Sequence, residues 1–237
     1  MAANDSKASS RRRILVQRDG PYTVYGDIPL ARKTQVVSEY GEPLTWQKGE
    51  TIPTSGEYDL CRCGHSKEQP FCDSTHVEIA FDGTETADTG ATAERQVTYP
   101  GSTKIIVRRD MSLCTHSGFC GTRLADILQL TRHTKDPQTR AQVMAMIEHC
   151  PSGSLTYSLA AGEPDIEPDL PQQIAVTTEI TDDGPIAGPL WVTGSIPIER
   201  SDGQPFETRN RVTLCSCGRS KNKPLCDGRH RLPDDTA

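Results

Sequence analysis

Apolar residues in this chain of 237 residues come in runs of three or four, broken by Gly, Pro and charged positions. Ile14-Leu15-Val16, Tyr22-Thr23-Val24-Tyr25 and Gln35-Val36-Val37 predict strands near the start. Ile174-Ala175-Val176, Leu190-Trp191-Val192 and Arg211-Val212-Thr213-Leu214 predict strands near the end. Runs this short, with turn residues between them, suit small sheets. The middle reads differently. Lys104-Ile105-Ile106-Val107 and Leu155-Thr156-Tyr157 predict strands. Leu124, Ile127 and Leu128 predict one short helix, and Val143, Met144, Ile147 and Cys150 predict another starting at about Pro137. Residues 80–95 and 161–171 have the composition of linkers, and polar residues 1–13 that of a disordered tail.

The two β-rich parts repeat one another. Asp19-Gly20-Pro21 recurs as Asp183-Gly184-Pro185, Gly26-Asp27-Ile28-Pro29-Leu30 as Gly194-Ser195-Ile196-Pro197-Ile198, and Gly41-Glu42-Pro43-Leu44 as Gly203-Gln204-Pro205-Phe206. The offset drifts between these pairs, so loop lengths differ between the copies. Downstream the repeat becomes strict. Cys61, Cys63, Gly64, Ser66, Lys67, Pro70, Cys72, Asp73 and His76 recur as Cys215, Cys217, Gly218, Ser220, Lys221, Pro224, Cys226, Asp227 and His230.

Three thiolates and an imidazole make a four-ligand set, sufficient for tetrahedral zinc or for one [2Fe–2S] cluster, in which each iron takes two protein ligands. Structural zinc sites usually space paired cysteines as Cys-x₂₋₄-Cys, and Cys-x-Cys is tighter. Ser66 and Ser220 either donate to cluster sulfur or hold the turn. Asp73 and Asp227 are positioned to cap a short helix carrying the His. The full pattern resembles the CDGSH iron–sulfur family, the mitoNEET-like proteins. The second copy keeps Cys226-Asp227-Gly228-Arg229-His230, and the first has Ser74 where the motif has Gly. The resemblance implies a [2Fe–2S] cluster on Cys61, Cys63, Cys72 and His76 and a second on Cys215, Cys217, Cys226 and His230. It also implies strand exchange, here as an internal pseudo-dimer within one chain.

The remaining cysteines are Cys114, Cys120 and Cys150, the last followed by Pro151. A Cys-Pro ending is typical of ferredoxin loops. The segment from about 97 to 160 resembles the divergent single-cluster ferredoxins, with Ser117 standing where a further Cys is usual. Three thiolates suit a [3Fe–4S] cluster, and a [4Fe–4S] cluster needs a fourth ligand, for which His116 is nearest. His149, beside Cys150, reads as a surface residue or a neighbour of the ligands.

Bulk properties narrow the function. The apolar fraction of 34%, or about 42% with the 19 Gly counted, is slightly below the roughly 45–50% of globular chains. Small modules of this kind often need a metal or a disulfide to hold them. Net charge is −6, with basic residues dispersed apart from Arg11-Arg12-Arg13, so nucleic acid is not an expected partner. No run approaches the roughly 18 apolar residues of a membrane span. There is no apolar signal segment, which leads us to expect a cytoplasmic, reducing location where clustered cysteines bind metal. No phosphate loop, dinucleotide fingerprint or nucleophile triad is evident. The expectation is therefore an α+β chain with a tail (1–13), a first unit (14–95), a ferredoxin-like segment (96–165) and a second unit (166–237). Its function would be electron transfer to a redox partner protein, as a monomer without independent catalysis. A cluster carrier or redox and pH sensor, and a zinc-stapled interaction module, are the alternatives.

Overall fold

A computed structural model describes residues 11–100 and 104–233. Residues 1–10 of the expected tail lie outside the described residues, and Arg13 already opens a strand. In chain order the strands are β1 (Arg13–Val16), β2 (Tyr22–Tyr25), β3 (Leu30–Val37), β4 (Pro43–Ile52), β5 (Glu57–Leu60), β6 (Val97–Thr98), β7 (Ile106–Arg109), β8 (Leu155–Ser158), β9 (Gln173–Thr181), β10 (Gly184–Thr193), β11 (Ile198–Glu199) and β12 (Arg211–Leu214). The longest helix, Pro137–His149, begins at its Pro, with the Asp136 side chain accepting from the Thr139 N–H. The shorter helix Ile127–Thr131 starts from a capping box made by Asp126 and Gln129.

Two sheets carry the repeat. One has the order β11-β1-β2-β5 and the other β12-β10-β9-β3-β4. The first holds β1, β2 and β5 of its own copy and borrows β11, and the second holds β9, β10 and β12 of its own copy and borrows β3 together with its hairpin partner β4. The borrowed β11 and β3 pair in parallel, with Ile14 opposite Ile198 and Leu30 opposite Ile174. The joints are alike: the Ile14 N–H donates to Pro197 O and the Ile174 N–H to Pro29 O, both at 2.9 Å. This reciprocal exchange makes the two units an internal pseudo-dimer, and the core follows from it. Ile14, Val16, Tyr22, Val24, Ile28 and Leu30 pack in one buried cluster with Ile174, Leu190, Val192, Ile196, Val212 and Leu214. Each half buries its apolar face against the other, which supplies core that neither short half holds alone.

The middle segment has its own sheet, β6-β7-β8, and its own apolar cluster of Ile105, Val107, Ile127, Val143, Met146, Ile147, Leu155 and Tyr157. It seats on the second unit through Arg211, whose side chain is fully buried. That guanidinium donates to Ile147 O and Leu155 O and pairs with Glu167 at 2.7 Å. Residues 80–95 are bound tightly rather than strung loosely. Ala87 lies in the main core, and the N–H groups of Thr86 and Ala87 both donate to Lys223 O. Among the described residues no helix is long and apolar enough to cross a membrane.

Candidate metal centres

Each repeated cysteine loop is clamped to the end of its sheet in the same way. The Cys61 N–H donates to Pro70 O and the Cys72 N–H to Asp59 O. In the second copy the Cys215 N–H donates to Pro224 O and the Cys226 N–H to Thr213 O. The Gln69–Pro70 and Lys223–Pro224 peptides are both cis. Ser66 Oγ donates to Phe71 O at 2.6 Å and Ser220 Oγ to Leu225 O at 2.7 Å, so both hydroxyls are committed to the turn. Asp73 bridges the loop by accepting from the N–H groups of Lys67 and Thr75, and Asp227 does the same with Lys221 and Arg229. Those N–H donors, Lys67 first, hold the Asp73 carboxyl well below its usual range. The helical turn carrying each His begins on a left-handed residue, Ser74 at φ 71° or Gly228 at φ 84°.

The ligand candidates come together in pairs. Cys61 and Cys63 have sulfurs 3.8 Å apart, as do Cys215 and Cys217. Cys72 Sγ lies 3.3 Å from His76 Nδ1, and Cys226 Sγ lies 3.4 Å from His230 Nδ1. Two thiolates on one tetrahedral metal, with bonds of about 2.3 Å, stand about 3.8 Å apart, and a thiolate and an imidazole stand about 3.5 Å apart. Each pair thus matches two ligands of one metal. Among the described residues no three His, Cys, Asp or Glu side chains converge on a point that would hold a single ion. Two pairs per site, each set for its own metal, fit a two-iron cluster better than one zinc.

The thiols show why a cationic centre suits these loops. All nine cysteines are free. Burial pushes the Cys63, Cys72, Cys120 and Cys226 thiols up. Cys215 and Cys217 share a hydrogen bond that raises the first and lowers the second. Metal coordination would supply the positive charge that lets all of them ionise together.

The two sites differ in their surroundings. Cys226 and His230 are buried, whereas Cys72 and His76 are half-buried. Between the paired cysteines, Arg62 is 2% exposed and donates to Gln17 O and Gly83 O, while Ser216 at the matching place donates to Gly188 O.

In the middle segment, Cys114, Cys120 and Cys150 line one cavity with Arg109, Thr115, His116 and Ser117. Arg109 Nη2 donates to Cys114 Sγ at 3.4 Å. The Thr115 hydroxyl is buried without a hydrogen-bond partner, which leaves a donor for an acceptor placed in that cavity. His116 is exposed, and His149 stacks on Phe119 at 6.0 Å. Arg62, Arg109 and Thr115 escape sequence reasoning because each is a single residue outside any spacing rule.

The three loops touch. A Cβ on Gly64 would come within 2.6 Å of Cys217 O, and one on Gly218 within 2.4 Å of Cys63 O. A Cβ on Gly228 would meet Thr115 O at 2.9 Å and His116 Cδ2 at 3.0 Å. Only glycine allows such approaches.

The comparisons agree with this arrangement. The iron-binding zinc finger family of CDGSH type matches residues 19–77 and again 187–231. The divergent 4Fe–4S mono-cluster family matches residues 101–160, between them. No curated protein matches the chain.

Proposed function

Since this is an iron–sulfur protein with two CDGSH-type segments around a divergent cluster-binding segment, we propose that it transfers electrons. The outer ligand sets, Cys61, Cys63, Cys72 with His76 and Cys215, Cys217, Cys226 with His230, would each hold a [2Fe–2S] cluster. Cys114, Cys120 and Cys150 would hold a third, [3Fe–4S] or [4Fe–4S]. The clusters supply one-electron redox chemistry when bound. The chain's own residues ligate them, exclude water and aim hydrogen bonds that set their potentials.

The observation that carries this reading is the contact between all three loops. The second outer site touches the first through Gly218 and Cys63, and touches the middle site through Gly228 and Thr115. Three separate structural metals have no need of such contact, whereas redox centres in series do. A protein that exchanges electrons with a partner in a reducing, cytoplasmic location is consistent with its free cysteines. The test is anaerobic reconstitution with iron and sulfide, followed by EPR and stopped-flow reduction. We expect two [2Fe–2S] signals, a third component and fast reversible reduction of all of them. A colourless protein with stoichiometric zinc would overturn the reading.

The greater exposure of Cys72 and His76 favours a second reading, in which the first site passes its cluster to an acceptor. Transfer of intact cluster to an apo-acceptor, faster than electron transfer, would decide for it.

A further inference from the structure

The repeat is broken at one point that bears on chemistry. Glu179, in β9, is fully buried, and its Oε2 lies 2.9 Å from His230 Nε2. His230 Nδ1 faces Cys226, so Nδ1 is the nitrogen available to metal and Nε2 carries the proton donated to Glu179. Arg231 Nε lies 2.7 Å from the same carboxylate oxygen, and Glu179 Oε1 is buried without a hydrogen bond. A buried carboxylate left half unsatisfied is costly to the fold.

The first copy has nothing equivalent. Ile14 and Ile174 occupy matching positions in the exchanged sheets. Five residues beyond Ile174 is Glu179, and five beyond Ile14 is Asp19. The β1–β2 hairpin has already turned there, and Asp19 Oδ1 accepts from the Gly83 N–H at 2.9 Å. Among the described residues His76 Nε2 has no hydrogen-bond partner. The longer β9–β10 hairpin is what carries a carboxylate over the second site alone.

We propose that Glu179 is a positioning residue which, through the Nε2–H of His230, makes the second outer centre inequivalent to the first, lowering its reduction potential and slowing its loss. The inference rests on the ligand sets of the proposed function. A carboxylate accepting Nε2–H gives the imidazole imidazolate character and fixes its ring, so Nδ1 becomes a stronger donor and favours the oxidised metal.

The test uses the full chain, reconstituted anaerobically, in two backgrounds. Cys72→Ser leaves only the second outer centre, and Cys226→Ser leaves only the first. In the Cys72→Ser chain, Glu179→Gln should raise the reduced-to-oxidised ratio at fixed poise about tenfold, 59 mV for one electron. It should also speed chelator-driven loss of the cluster about tenfold. In the Cys226→Ser chain neither quantity should move. Arg231→Gln removes the competing cation and should shift the second potential downward, which tests the proposal even where Glu179→Gln folds poorly. An unchanged second potential in both variants, or equal shifts at both centres, would overturn the inference alone. Absence of a [2Fe–2S] signal in the Cys72→Ser chain would overturn the ligand assignment and the inference with it.

Discussion

Ser74 and Gly228 sit at the same turn of the two copies, at φ 71° and φ 84°. A left-handed serine costs about 1–2 kcal/mol relative to a right-handed one, partly offset by the entropy glycine would lose. Ser74→Gly should therefore stabilise the chain by about 0.5–1 kcal/mol in denaturant unfolding. The ligands themselves allow a sharper test. Replacing Cys72 and Cys226 together by Ser should abolish both [2Fe–2S] signals and spare the middle component. Retention of either signal would refute the pairing. Protons compete with metal for a ligating imidazole nitrogen, so falling pH promotes cluster loss. His76→Cys with His230→Cys exchanges the neutral imidazole for an anionic thiolate that binds iron more strongly, and should slow acid loss and lower the potentials, read by visible absorbance against pH and by potentiometry. The candidate ligand sets stand out in the sequence because a motif written twice fixes its own spacing. Glu179 was not legible, because it belongs to β9, and only the register of that strand brings it over His230.

Among the elements, Tyr22–Tyr25 and Arg211–Leu214 were readable from apolar runs, as were Pro137–His149 from its period and its first proline. β4 and β11 were not. β4, Pro43–Ile52, is largely exposed and polar, and holds its place by pairing with β3 rather than by burying a face. β11 has only two residues and exists because β1 lies beside it. Pairing partners are a tertiary fact that no local pattern records. The contact between the two outer loops is equally tertiary, and it carries a prediction. Gly218→Ala would set a methyl 2.4 Å from Cys63 O at φ 77°. It should cost about 2–4 kcal/mol, the sum of backbone strain and overpacking, seen as a lower unfolding midpoint by circular dichroism.

Taken whole, the molecule is held by exchange rather than by linkage. β3 belongs to the sheet of the second copy and β11 to that of the first, so the connecting chain is not what keeps the halves together. A protease site placed in the exposed stretch 161–164 should, once cut, leave two fragments that elute as one species under native conditions and separate only in denaturant. Two native peaks would contradict the interlocked core.

The same exchange sets an order on the birth of the protein. Leu30 leaves the ribosome about 140 residues before its neighbour Ile174, roughly 10–30 s at ordinary elongation rates. Through that interval Cys61, Cys63, Cys72 and His76 have emerged, while β11, which closes their sheet, has not been made. If Cys61, Cys63, Cys72 and His76 hold a cluster as proposed, nascent chains released after residue 170 should fail to retain iron there although all four candidate ligands are present, and metal would reach that set only after translation has ended.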